Sequence, residues 1–333
     1  CPASPDHAPA VASDGRRVSQ VSAPVILIPE NPMPEGGEAF WLKAADGARL
    51  RYLTWKDDAA PRGTVFLFGG RTEFAEKYFE VIGELRTRGF AVATLDWRGQ
   101  GLSDRPLADG RKGHIADFDI FDRDLACFMR EVAPSFPKPW TALAHSMGAQ
   151  IVLRALHDHP GWFSRAVFSS PMFGLNFPKW MGLSIHTLVN LFHAFSQDER
   201  YLPGGSAKTN DEIPFEENIL THDERRYEIL QALTRAEPRL GLGGVTAGWL
   251  HAAFRAMDQS AAPAYLADVK VPVLICEAAK DKLVSPRALS HAAAHLPEAT
   301  LVVVPHASHE ILIERDAVRA VFWEAFDNFM KAD

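Results

Sequence analysis

Three residue types that together perform acyl transfer, a serine, an acid and a histidine, stand in this chain where their surroundings suit the work. Ser146 lies in Leu-Ala-His-Ser-Met-Gly-Ala at 143–149, where an apolar run meets a helix-like one. A serine in a sharp strand-to-helix turn sits in a strained backbone conformation and needs small neighbours, hence the pattern G-x-S-x-G. Gly148 satisfies that need, and Ala144 adds one methyl that a tight turn accommodates. Asp281 follows the apolar run Val271 to Ala278, and His309 follows the run that begins at Ala299. His306 competes with His309; we favour His309 because it lies further into the loop, just ahead of a helix-like segment. A free serine hydroxyl is a poor nucleophile, so His309 would take its proton while Asp281 fixes the imidazole tautomer and stabilises the imidazolium. Singly, each has an ordinary alternative: a turn serine, a loop-solvating aspartate, a surface histidine. The order Ser, Asp, His at three strand ends favours the chemical one.

Such chemistry needs two backbone N–H groups aimed where negative charge develops. One is expected from Met147, next to the nucleophile, and the other from Arg71, in Gly69-Gly70-Arg71-Thr72-Glu73 after a strand-like run. The Arg71 side chain would then stand at the catalytic mouth. It could contact an anionic head group there, or pair with Glu73 or another acid.

The elements that would position these groups alternate in type from about residue 38. AFWLKAADGARLRYLTW holds two short runs about Asp46-Gly47, a hairpin signal. TVFLFGG and FAVATLDW are strand-length apolar runs with a helix-like segment between them, which implies a parallel pair with a right-handed crossover. A helix from Asp117 to Val132, a strand into the elbow, a helix from Gly148 to His159 and strands at RAVFSSP, VPVLICEA and ATLVVVPHA complete the series. Between Pro171 and Val271 no clear strand appears. The expectation is therefore an α/β fold, a mostly parallel central sheet flanked by helices with an inserted, mainly helical cap. Its parts are an N-terminal extension at 1–37, a core at 38–171 and 271–333, and the cap at 172–270. In the cap, Leu188, Leu191, Phe192 and Phe195 recur at helical spacing, with Ile185 just upstream. They form either core packing or an acyl-chain groove over the strand ends in which Leu188 and Phe192 touch substrate.

Composition excludes several other classes. The 333 residues carry 47% hydrophobic and 23% charged side chains and a formal charge of -7, with no Lys/Arg run of the kind that grips nucleic acid. Three scattered cysteines build neither a disulfide framework nor a metal cluster. No cofactor or metal motif competes with the serine chemistry, and no run of about 18 apolar residues is present to span a bilayer. Cys1, ahead of a Pro/Ala/Ser-rich stretch, fits either a lipid-anchored lipoprotein terminus or a start set by processing.

With these residues in hand the chain resembles the α/β-hydrolase superfamily and, within it, the bacterial lysophospholipase and monoacylglycerol lipase group. DWRGQGLS at 96–103 and the Ser146 elbow are general features of the superfamily. GGRTEFAEKY, GHIADFDIFDRDL, SSPMFG, NILTHDERRY, GGVTAGW and HASHEILIERD carry the closer resemblance, which runs from about residue 40 to the end. Gly69-Gly70 departs from the His-Gly usual in monoacylglycerol lipases. The resemblance implies a serine hydrolase that cleaves the carboxylic ester of a single-acyl lipid, a lysophospholipid or monoacylglycerol. It also implies a cytoplasmic location with peripheral contact at the inner membrane. The alternatives are a carboxylesterase for small esters and, from another class, a non-catalytic binding protein on the same fold. An aspartate-nucleophile dehalogenase or epoxide hydrolase is disfavoured by Ser146.

Overall fold

The structure, a computed structural model, describes residues 21–57, 60–177 and 179–331. Cys1 lies outside them, so neither account of that terminus is addressed. Among the described residues nine strands form one sheet: β1 (Val21–Ser22), β2 (Gly37–Lys43), β3 (Arg49–Trp55), β4 (Thr64–Phe68), β5 (Ala91–Leu95), β6 (Trp140–His145), β7 (Arg165–Ser169), β8 (Val273–Ala278) and β9 (Ala299–Val304). Their spatial order is β1-β2-β3-β5-β4-β6-β7-β8-β9. The first three pair antiparallel, β3 pairs antiparallel with β5, and every pair beyond that is parallel. The expected mostly parallel sheet is therefore present, and the Asp46-Gly47 turn joins an antiparallel hairpin as expected. The sheet also reaches into the stretch expected to be an extension, because β1 lies at 21–22.

Alternate residues of a buried strand face opposite ways, so a sheet covered on both faces feeds two cores. On β4, Phe66 and Phe68 enter one apolar cluster and Val65 and Leu67 the other. Helices α1 (Phe79–Thr87) and α9 (Asp316–Phe329) cover the second face, through Phe79, Ile82, Phe322 and Phe326 among others. Helices α2 (Asp119–Glu131), α3 (Met147–Asp158) and α8 (Pro286–His295) cover the first.

Between β7 and β8 the described residues form no sheet strand. They hold α4 (Lys179–Ala194), α5 (Glu224–Ala236), α6 (Ala247–Ser260) and α7 (Pro263–Asp268), with short 3-10 turns. Val189 of α4 and Leu250 and Phe254 of α6 belong to the same apolar cluster as the first sheet face, so this insertion shares the main core. The apolar residues of α4 do not act as one stripe. Val189 is fully buried and Ile185, Leu188 and Phe192 are partly buried against the core, whereas Leu191 and Phe195 are 50% and 72% exposed. The covered face runs along 185, 189 and 192 because α6 packs there, with Phe254 stacked on His186 at 3.8 Å.

Candidate active site

Ser146 joins β6 to α3 at φ 49° and ψ -116°, the left-handed region that side chains other than glycine rarely adopt. The turn leaves no space for side chains on two sides. A Cβ on Gly148 would fall 2.4 Å from the Gly69 carbonyl oxygen, and one on Gly70 would fall 3.0 Å from the Ser146 Cβ. Ala144 creates no such conflict, since it is one residue back in the strand, paired in register with Phe68, and its methyl is buried in the core. Parallel neighbours on both sides place the end of β6 at the middle of the carboxyl edge of the sheet, where open α/β sheets carry their sites.

The structure brings the three expected side chains together. His309 Nε2 is 2.9 Å from Ser146 Oγ, and His309 Nδ1 is 2.7 Å from Asp281 Oδ2. Because a carboxylate only accepts, Nδ1 carries the proton and Nε2 is free to accept from the serine hydroxyl. Asp281 Oδ1 accepts from the amides of Leu283 and Val284 at 2.7 and 3.1 Å, which anchors the acid from behind. Burial pushes the Asp281 carboxyl upward, but His309 and these two amides outweigh it and hold the group below its ordinary value. Asp281 therefore stays ionised beside the base. His306 is not part of the group: it is exposed, in a left-handed turn just after β9.

Among the described residues, neither the Arg71 nor the Met147 amide donates to an acceptor within the chain. The neighbouring Gly70 amide, by contrast, is taken up by the Glu73 carboxylate. Two residues hold this loop from the other side: Trp97 Nε1 donates to the Gly69 carbonyl at 2.8 Å and Gln100 Nε2 to the Gly70 carbonyl at 2.5 Å. Both belong to the DWRGQG stretch, which in the sequence signalled only a general resemblance.

The Arg71 side chain does not pair with Glu73. Its Nη1 donates to the Gly243 carbonyl of the insertion at 2.8 Å, and no carboxylate among the described residues forms an ion pair with it. Burial pulls this guanidinium down to about 10, so it is still a cation at neutral pH. Leu188 and Phe192 keep part of their surface open while packing on the core. Glu73, Lys77, His145 and Glu310 are buried behind the triad; of these the sequence points only to Glu73, and as a partner of Arg71. No local signal marks Lys77, His145 or Glu310, since each pairs with a group distant in the chain.

Comparison with known proteins shows the family and the fold. The sequence profile described as Serine aminopeptidase, S33 matches residues 59–316. Lysophospholipase L2 of Escherichia coli strain K12 is 34% identical over 296 residues, 85% of this chain and 84% of that protein. A probable lysophospholipase L2 of Haemophilus influenzae is 30% identical over 274 residues, 82% of this chain and 85% of that one. Among solved structures, a soluble variant of monoglyceride lipase from Saccharomyces cerevisiae superposes with a TM-score of 0.67 at 21% identity, covering 87% of this chain and 94% of the other. At that identity the likeness speaks for the α/β-hydrolase fold alone.

Proposed function

From the premise that this chain belongs to the Serine aminopeptidase, S33 family, we propose that it is a serine hydrolase cleaving the carboxylic ester of single-acyl lipids, lysophospholipids or monoacylglycerols. The observation that carries the mechanism is the continuous hydrogen-bonded relay from Asp281 through His309 to Ser146. In the first half-reaction His309 takes the hydroxyl proton as Ser146 Oγ attacks the ester carbon. The resulting oxyanion is met by the free amides of Arg71 and Met147. His309 then returns the proton to the departing glycerol oxygen, leaving an acyl-serine. In the second half, His309 deprotonates a water that attacks the acyl carbon, and the fatty acid leaves as the proton returns to Ser146. No step requires a cofactor.

The insertion supplies the lipid side of this proposal. Leu188 and Phe192 would line the acyl path, and each methylene buried there stabilises by about 0.8 kcal/mol. On this basis kcat/KM climbs with acyl length, roughly fourfold per methylene, until the groove is filled. Peripheral membrane contact belongs to the same proposal. The substrates reside in bilayers, and Leu191 of α4 and Phe195 just beyond its end expose apolar surface, while no helix among the described residues is long and apolar enough to cross a membrane.

A fluorophosphonate probe and a substrate panel test the proposal. The wild-type protein should label and the Ser146→Ala variant should not. Turnover should rise from butyryl to long-chain esters and extend to lysophospholipid and monoacylglycerol. Labelling with a profile that falls beyond butyrate would instead identify a small-ester carboxylesterase, and absence of labelling would leave a non-catalytic binding protein.

A further inference from the structure

Behind the reacting groups lie four charges that the acyl-transfer steps do not use. Glu73, Lys77, His145 and Glu310 are each less than a tenth exposed. They come from separate parts of the machinery: Glu73 from the oxyanion loop, His145 from the residue before the nucleophile, and Glu310 from the residue after the base. Lys77, on the 3-10 turn Ala75–Tyr78, bridges Glu73 Oε1 and Glu310 Oε1 at 2.6 Å each. His145 presents Nδ1 to Glu73 Oε1 at 2.9 Å, an ion-pair contact whose alignment falls short of a hydrogen bond. Its Nε2 lies 3.2 Å from the backbone carbonyl of His309.

The chemistry of these partners fixes the charge on His145. A carbonyl oxygen only accepts, so Nε2 must carry a proton. Glu73 accepts from the Gly70 amide and the Tyr78 hydroxyl and pairs with the Lys77 ammonium, which favours its ionised form and so places a carboxylate oxygen against Nδ1. A lone pair there would be repelled; only the imidazolium serves both nitrogens. Two cations and two anions then make the cluster neutral, the condition under which buried charges are tolerated. Burial works against the His145 charge, but Glu73 outweighs it and holds the imidazole above its ordinary value.

We infer that His145 is a protonated positioning residue that ties the oxyanion loop to the base loop, through Glu73 on one side and the His309 carbonyl on the other. Lys77 closes the circuit through Glu310. The inference rests on the Ser146–His309–Asp281 relay proposed above. One consequence is electrostatic, because the rings of His145 and His309 are 4.8 Å apart. The charged groups around the base are Asp281 from the loop after β8, His145 from β6, Glu73 and Lys77 from the oxyanion side, and its neighbour Glu310. The His145 cation opposes protonation of the base, whereas the three carboxylates favour it.

The test is the pH dependence of kcat/KM on a short p-nitrophenyl ester for the wild type, His145→Gln and Glu310→Gln, with thermal melts in parallel. Wild-type turnover by itself examines the hydrolase proposal; the differences between variants examine this one. Glutamine at 145 keeps an N–H for the His309 carbonyl and removes the charge. We expect kcat to fall roughly 10- to 100-fold with little change in KM, as for a misplaced reacting group. The acidic limb should move to higher pH by on the order of one unit. Glu310→Gln leaves a net positive charge in the cluster, so its acidic limb should move to lower pH. Limbs that stay in place, or shift in the same direction, in the folded variants would reduce the cluster to packing. Should His145→Gln fail to fold, an unmoved limb in Glu310→Gln overturns the inference alone.

Discussion

Two buried charge clusters meet on the single turn Ala75–Tyr78, and they are built differently. Glu76 belongs to the first. There Arg51 of β3, with none of its side chain exposed, gives Nη1 and Nη2 to Glu76 at 2.6 and 2.7 Å and Nε to Asp96 at 2.8 Å. Asp96 also accepts from the amides of Ala75 and Leu102, and Arg51 from its side donates to the Pro24 carbonyl. Lys77, the next residue, belongs to the second cluster, where His145 Nδ1 and Glu310 Oε2 have no hydrogen-bond partner. The first is saturated and clamps β3, the end of β5 and the segment before β2 to one another. The second is balanced in charge without being saturated in hydrogen bonds, and it touches the oxyanion loop, the nucleophile turn and the base loop. Neighbouring residues on one turn thus serve holding and poising separately. Removing a member should affect stability in one cluster and catalysis in the other.

Ser146→Ala sets the scale for the catalytic side and has the largest expected effect. It should lower kcat by a factor on the order of 10⁴ to 10⁶ with the melting temperature nearly unchanged. His309→Ala should come close to that, and His306→Ala should stay near wild type; activity in the former and none in the latter would reassign the base. Arg51→Met sets the scale for the structural side. It leaves Glu76 and Asp96 buried without their cation, which costs about 3 to 5 kcal/mol of unfolding free energy in a urea titration. The folded fraction should keep its specific activity. Loss of turnover at full stability would break the contrast between the clusters.

Arg71 sharpens it from a third direction, as a half-buried cation belonging to neither cluster. Arg71→Ala retains the backbone N–H, so a short neutral ester should turn over almost normally. If the guanidinium meets a phosphate, lysophospholipid should lose roughly tenfold to a little over a hundredfold in kcat/KM relative to monoacylglycerol of equal acyl length. An unchanged ratio would remove phosphate recognition by this side chain.

The smallest effect is on stability against pH. Glu73 is held well below its ordinary value of 4.5 because His145 and Lys77 outweigh its burial. Its contribution is present above pH 4.5 and fades as the pH falls through the lower folded value. His145 is raised above 6.5, so its contribution is complete below pH 6.5 and is lost as the pH rises through the folded value. The cluster therefore stabilises fully between about pH 4.5 and 6.5. Melting temperatures of the wild type should decline by a few degrees on the alkaline side, and His145→Gln should abolish that part of the decline.

Ser146, Asp281 and His309 were legible because each stands just beyond a strand whose apolar run is itself local information. Gly148 was legible through the G-x-S-x-G pattern, although the contact that demands it is tertiary: a Cβ there would meet the backbone of Phe68 and Gly69 at the end of the neighbouring strand. The α4 stripe was only half legible. Its two apolar rows satisfy the helical period equally, and nothing within the helix distinguishes Leu191, which faces out, from Val189, which does not. That choice fell to α6, more than fifty residues away in the chain.

Fold class, the succession of elements along the chain and the types of the reacting groups were determined by the sequence itself, because periodicity and turn residues act between near neighbours. Tertiary structure alone decided that Arg71 reaches Gly243 rather than Glu73, and that His145 spans Glu73 and the His309 carbonyl. Those partners lie 172 and 164 residues apart along the chain in the two longest cases, and no local pattern specifies which buried charge will find which. The physical reason is that a charge can enter the interior only beside its complement, and the complement is known only once the strands have been set side by side.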